Sequence, residues 1–193
     1  MLVEGKDTEA FITVLLSVSG LDDLQVLDFG NVENFRPFIK GLVNRLDFRQ
    51  IDIQSIGVIR DAEQNSSAAF VSVCDALKAA NLDSPDQVEK ITTGEPRTGI
   101  YLLPGLNATS GMLEDLCLNM LDKDVAIKCV EQYFHCLTSQ GVEQPKNSAK
   151  AKITAFLASR SELKQRVGYA MNQDYWNWEH PCLNPLKDFL KQL

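Results

Sequence analysis

Three acids stand where short apolar runs stop. "LVEG" places Glu4 after Leu2 and Val3, and "SIGVIRDAEQN" places Asp61 and Glu63 two residues apart at the end of another run. Like charges held that close repel, so solvent, a protein cation or a bound metal ion has to compensate. Hard divalent ions such as magnesium take carboxylate oxygens and keep several waters. An acid at one strand end, beside an acid-x-acid pair at a neighbouring strand end, is a donor set for such an ion. The chemistry it serves is phosphoryl chemistry: the ion polarises a phosphate oxygen, lowers the pKa of a bound water or neutralises a leaving oxyanion. Gly5 lets the backbone come close to a ligand just after Glu4, and Lys6 adds a positive charge for phosphate or substrate. Solvated strand-end acids are the plain alternative, since a chain with 26 Asp+Glu contains such pairs by chance.

The elements that position these acids follow from periodicity. "LVEG" is a very short first strand. Phe11, Val14, Leu15 and Val18 then recur at helical spacing, with Asp7 or Thr8 able to cap and Gly20 ending the helix. Strands are expected over Leu24–Gly30, Ile53–Ile59 and Gly99–Pro104. Helices are expected over Asn31–Leu46, starting near Asn34 because Pro37 suits an early turn, over Ser66–Leu82 with a serine cap, and from Met112 to Leu121. Strands alternating with helices imply right-handed crossovers and a mostly parallel sheet. Ligands of such sheets gather beyond the carboxyl ends of the strands. If strands one and three are neighbours, Glu4, Asp61 and Glu63 converge on one edge, with Glu114 and Asp115 nearby. After Asp122 the pattern is helical only: Val125–Leu137, a polar loop Ser139–Lys150, and two further helices in Ala151–Ser161 and Pro185–Leu193 around the aromatic loop "DYWNWEHP". The expected fold is therefore a three-layer α/β domain on a mostly parallel four-stranded sheet. A C-terminal helical extension, residues 122–193, packs on it as one structural unit.

Composition excludes several classes. At 193 residues and 45% apolar content the chain reads as one globular domain with an appendage. No apolar run is long enough to span a bilayer and no signal-peptide pattern opens the chain, so a cytoplasmic protein without a membrane partner is expected. Five scattered cysteines without CxxC spacing read as buried free thiols rather than zinc ligands or disulfides. The net charge of −7 argues against a simple nucleic-acid coat. Residues 1–144 hold 11 Lys+Arg against 22 Asp+Glu, and residues 145–193 hold 8 against 4. A basic tail therefore complements an acidic body or faces phosphate. No GxxxxGK[ST] and no GxGxxG is present, so neither a P-loop nor a dinucleotide site is expected.

Arg60 alternates with Asp61 and reads as a surface residue rather than its counterion. Asn65 reads as a turn or cap residue. Glu114 has two readings that the sequence leaves open: a first-turn acid favoured by the helix dipole, or a ligand or base for a second metal. Asp115 lies about 100° away around the same helix, so the two do not serve one ion. Lys150 and Lys152 read as solvated, His135 and His180 as structural. Tyr175, Trp176 and Trp178 read as anchors for the last helix rather than base-stacking platforms.

"LVEGKDTEAF" followed by "IGVIRDAEQN" resembles the TOPRIM domain shared by topoisomerases, primases and OLD-type nucleases. In that pattern one strand ends in Glu-Gly and a later strand in Asp-x-Asp. Glu4 matches the first acid and Asp61 the second, while Glu63 stands in the place of the second aspartate, one methylene longer. "GIYLLPGLNATSGMLEDLCL" and "GYAMNQDYWNWEHPCLNPLKDFL" extend the resemblance to a narrower TOPRIM-related family of small prokaryotic proteins with no assigned reaction. The broad resemblance covers residues 1–121 and implies a Mg2+ (or Mn2+) site on Glu4, Asp61 and Glu63, with Glu114 as an addition. It implies Glu4 and Asp61 as catalytic residues and breakage or joining of phosphodiester bonds in nucleic acid or a nucleotide. The alternative is a TOPRIM-derived binding or regulatory module without catalysis, in which a protein partner or a second copy of the chain takes part.

Overall fold

The computed structural model describes residues 1–45, 53–105, 107–162 and 166–193. Strands β1 (Leu2–Glu4), β2 (Leu27–Gly30), β3 (Ser55–Asp61) and β4 (Arg97–Leu103) form one all-parallel sheet in the order β2-β1-β3-β4. Each connection carries a helix or longer crossover, as parallel pairing requires. Eight α-helices occur among the described residues: α1 (Lys6–Ser19), α2 (Val32–Asn44), α3 (Ser66–Ala79), α4 (Leu113–Met120), α5 (Val125–Ser139), α6 (Ser148–Ala158), α7 (Val167–Ala170) and α8 (Asn184–Gln192). A 3-10 turn, Pro181–Leu183, leads into α8. No described helix is long and apolar enough to cross a membrane.

The central strands are apolar on both faces because both faces are covered. On one face Leu2, Ile56, Val58, Ile100 and Leu102 meet Phe35 and Ile39 of α2 and Val73 and Leu77 of α3. On the other, Val3, Ile59, Tyr101 and Leu103 meet α1 and α4 together with Ile153, Phe156, Trp176, Leu186 and Phe189. Residues before and after position 121 thus share one core. Two glycines, Gly57 and Gly99, lie opposite each other in the β3–β4 register on this second face. A Cβ on Gly57 would come 2.5 Å from Leu193 Cδ1 and 2.7 Å from Met1 Cε, and one on Gly99 2.9 Å from Phe189 Cε2 with Ile91 Cδ1 closer still, so the bare strands are what let α8, Leu193, Met1 and Ile91 pack here. The outer edge of β4 is covered by an antiparallel segment, with Glu89 N–H donating to Ile100 O at 2.7 Å and Thr92 N–H to Thr98 O at 2.9 Å. That pairing removes an open strand edge.

Several boundaries differ from the sequence expectation for local reasons. β2 begins at Leu27 because its partner β1 begins at Leu2, leaving Leu24–Val26 outside the ladder. α2 starts at Val32, not near Asn34: Asn31 caps it by accepting from Asn34 N–H at 3.2 Å, and Pro37 sits inside. The proline nitrogen has no hydrogen to donate within the helix. The expected last residue of that helix, Leu46, lies outside the described residues. β3 and β4 are shifted against expectation because they pair from Ser55↔Arg97 to Asp61↔Leu103. The cap of α3 is Asn65, accepting from Ala68 N–H at 2.9 Å, rather than a serine. Asn147 caps α6 likewise, so the polar loop after α5 ends sooner than Lys150. The short α7 has too few residues to show periodicity.

The aromatic loop does anchor the tail. Trp176 is buried and donates Nε1–H to Ala170 O at 2.7 Å, and Trp178 lies against Phe11 with centroids 5.3 Å apart. The five cysteines are free, but only Cys74 and Cys117 are buried; Cys182 is half-buried and Cys129 and Cys136 are exposed. The last two stand seven apart on the outer stripe of α5, where amphipathicity rather than thiol chemistry sets their exposure.

Candidate functional site

The turn from β1 into α1 places Glu4 and Lys6. Gly5 is the N-cap residue, with φ +82, and a Cβ there would meet nothing within 4 Å. The backbone angle alone therefore demands glycine. Asp7 and Thr8, expected as caps, lie within the first turn. The turn is held by Asp28, whose Oδ1 accepts from Gly5 N–H at 2.9 Å and Gly30 N–H at 2.7 Å. Lys6 is paired with Glu9 (2.8 Å) and Asp28 (3.3 Å), and these hydrogen bonds raise its pKa. Its charge is engaged by these two acids rather than free beside Glu4.

The end of β3 places the acid pair. Asp61 is the last paired residue, and its Oδ1 accepts from Leu113 N–H, at the start of α4, at 2.9 Å. Asp115 completes that helix start by accepting from Met112 N–H at 2.9 Å. Ala62 is buried, and its N–H donates to Leu103 O at 3.0 Å. Glu63 then takes φ +54 and exchanges two backbone hydrogen bonds with Gly111, at 2.9 and 2.8 Å. The exposed Glu63 is thereby fixed to the loop that leads into α4.

β1 and β3 are adjacent, with Val3 beside Ile59. Pleating then sorts the charges, since successive side chains alternate between faces. Glu4 and Arg60 fall on the α2/α3 face with Leu2 and Val58; Asp61 falls on the face of Ile59, where α4 lies. Arg60, expected at the surface, is 5% exposed. Its Nε stands 3.4 Å from Glu4 Oε2 and donates to Asp61 O at 3.3 Å. A strand-end carboxylate on the same face gives a buried guanidinium the counterion it needs, and this is why it is buried.

The acids nevertheless meet electrostatically at the strand ends. Burial pushes the Asp61 carboxyl up to about 7, reinforced by the charges of Glu4, Glu114 and Glu63 and opposed by the Leu113 N–H. Burial also raises Glu4; Arg60 and a backbone bond at Asp61 counter this, and Glu63 adds to it. Glu114 is buried on the first turn of α4 and raised for the same cause, with Lys150 at 4.0 Å opposing. Glu4 Oε2 is buried without a hydrogen-bond partner. Among the described residues no three His, Cys, Asp or Glu side chains close into a metal-binding group. Magnesium is commonly held by one or two carboxylates plus waters; Glu4 Oε2, ion-paired with Arg60 but accepting no hydrogen bond, and the Asp61 carboxyl are the oxygens that would make up such a smaller donor set. Asp28 and Arg60 are the site residues that periodicity passes over. Their signal is a charged residue inside an apolar run, in "LDFG" and "GVIRD".

The whole chain, residues 1–193, matches the family described as "Protein of unknown function (DUF3226)". The chain belongs to the DUF3226 family. Comparison with curated proteins and with solved structures returns no match for this DUF3226 member.

Proposed function

We propose that this protein is a TOPRIM-like, Mg2+-dependent enzyme of phosphodiester cleavage or phosphoryl transfer, acting on nucleic acid or a nucleotide. One observation carries the reading. In the order β2-β1-β3-β4 the chain runs outward in opposite directions from β1 and β3, and Glu4 and Asp61 end those two strands. That crevice is where open parallel sheets bind ligands. A carboxyl that titrates near 7 among other acids is also the state a divalent cation relieves. Glu4 and Asp61 would hold the ion, with Glu63 and Glu114 beside them. The ion, when bound, supplies polarisation of a phosphate oxygen and a water of lowered pKa. The chain itself keeps the Asp61 carboxylate aimed through the Leu113 N–H and keeps Glu4 in place through the Gly5 turn and Asp28. Free cysteines agree with a cytoplasmic setting.

The test is cleavage of DNA, RNA and nucleotides across divalent metals. Glu4→Ala and Asp61→Ala are each expected to abolish activity while circular dichroism is unchanged. If every substrate stays intact with Mg2+ and Mn2+, catalysis is wrong. The second reading, a TOPRIM-derived binding module, then holds; it is favoured by Arg60, which already neutralises Glu4 without a metal. A manganese soak that leaves no ion at Glu4 and Asp61 removes the metal from both readings.

A further inference from the structure

Arg60 is the one Lys or Arg buried among the described residues. Its contacts to Glu4 Oε2 and Asp61 O both run through Nε, at 3.4 and 3.3 Å. Arginine–carboxylate pairs frequently engage the planar fork in two parallel bonds. Here the side-on contact leaves Nη1 and Nη2, four of the five guanidinium donors, without a protein acceptor among the described residues. Yet the side chain is 7% exposed. Neither Nη1 nor Nη2 is among the buried side-chain atoms that lack a partner, so the fork keeps access to solvent at the strand ends while the rest of the side chain is packed. Pairing with Glu4 and Asp61 O engages Nε and leaves the fork open to an anion from solution. The fork stands at the carboxyl end of β3 on the face covered by α2 and α3. Both helices begin at that end of the sheet, so their positive dipole ends lie on the same side.

We propose that Arg60 is an anion-binding residue whose free Nη fork takes a phosphate group from the α2/α3 side of the strand ends, across the sheet from the carboxyl of Asp61. The identity of the phosphate as substrate rests on the phosphoryl-transfer reading; the binding itself does not. The two faces divide the work: a guanidinium anchored at Nε holds the anion on one, and the carboxylate on the other meets the reacting phosphate at the shared edge. Arginine suits this better than lysine because its planar donors match two phosphate oxygens at once.

The experiment uses the full chain in EDTA, which separates it from any metal site. Pyrophosphate and a short single-stranded oligodeoxynucleotide are titrated separately, followed by calorimetry and by 15N NMR of the arginine side chains. The expected result is a saturable shift of the Arg60 Nη resonances with at least one ligand. Arg60→Gln is expected to weaken that binding about 10- to 100-fold, with Arg60→Lys in between. The better ligand tells a free polyphosphate from a backbone phosphate. Asp61→Asn is expected to bind as tightly as the wild type or more tightly, because it removes a neighbouring negative charge. If Arg60→Gln loses its fold, Glu4→Gln/Arg60→Gln, which leaves no unpaired charge, replaces it. Absence of an Arg60 shift with both ligands, or wild-type affinity in the glutamine variant, overturns the assignment. Anion binding at Arg60 in a protein without metal-dependent activity keeps the assignment and sinks the phosphoryl-transfer reading.

Discussion

Asp61→Asn should make the protein more stable at pH 8, and this is the most direct measure of how the strand-end acids press on one another. The asparagine keeps the Oδ1 acceptor for Leu113 N–H and removes the charge. In the native protein the carboxyl is raised from 3.8 to about 7. Between these values the native state holds more protons than the unfolded state, so stability falls as pH rises from about 4 to about 7. Each pH step over that window costs at most about 1.4 kcal/mol, or about 4 kcal/mol in all. Solvent screening at this partly exposed group trims the loss to about 2–3 kcal/mol. Asp61→Asn escapes that loss. At pH 8 in EDTA it should melt about 5–10 °C above the wild type, and the two should converge towards pH 4. Saturating magnesium should flatten the wild-type slope, because an ion that binds the ionised acids favours the native state. Urea unfolding at pH 4, 6 and 8 reads both effects. Equal stabilities at pH 8, or a wild type more stable than the variant, would refute the claim that burial and neighbouring acids strain Asp61.

Three further outcomes are expected. Arg60→Met should cost about 3 kcal/mol at pH 8 by urea unfolding, because it strands the Glu4 carboxylate, and adding Glu4→Gln should recover most of it; additive losses would show that the 3.4 Å contact carries no coupling. Gly5→Ala should cost about 1–2 kcal/mol for its positive φ and weaken any magnesium-induced rise in melting temperature, since Glu4 is displaced with the turn. Trp176→Phe should lose about 1–2 kcal/mol in thermal unfolding, the worth of the buried bond to Ala170 O; an unchanged midpoint would show that packing alone holds the aromatic loop.

The parallel sheet is legible in the sequence because its apolar runs alternate with amphipathic ones, and runs apolar on both faces can be buried only between helix layers. The convergence of Glu4 and Asp61 is legible as a condition on strand order, which local patterning does not contain. The place of Arg60 is not legible. Alternation correctly separates it from Asp61, but the partner that buries it, Glu4, comes from another strand whose register fixes the pair. Lys6 shows the same limit: Asp28, its partner, lies on β2 and is brought to it only by the β1–β2 ladder. The cysteines on α5 misled because exposure there depends on which helical stripe faces the core, not on residue type.

The glycine pair Gly57 and Gly99 bears on the order in which the molecule is made. These strands present a bare patch that Phe189 of α8 and Leu193 fill together with Met1 and Ile91, and Arg97 on the same edge grips the main-chain oxygens of Gln192 and Leu193 at 3.0 and 2.6 Å. Contacts that close a sequence gap of 95 or 96 residues come late in folding, because the loop entropy must be spent before they return anything. During synthesis the part of that face beside Gly57 and Gly99 would therefore stay uncovered until α8 has left the ribosome. A nascent chain stalled before Asn184 would carry an exposed apolar trough, a target for chaperones and for aggregation.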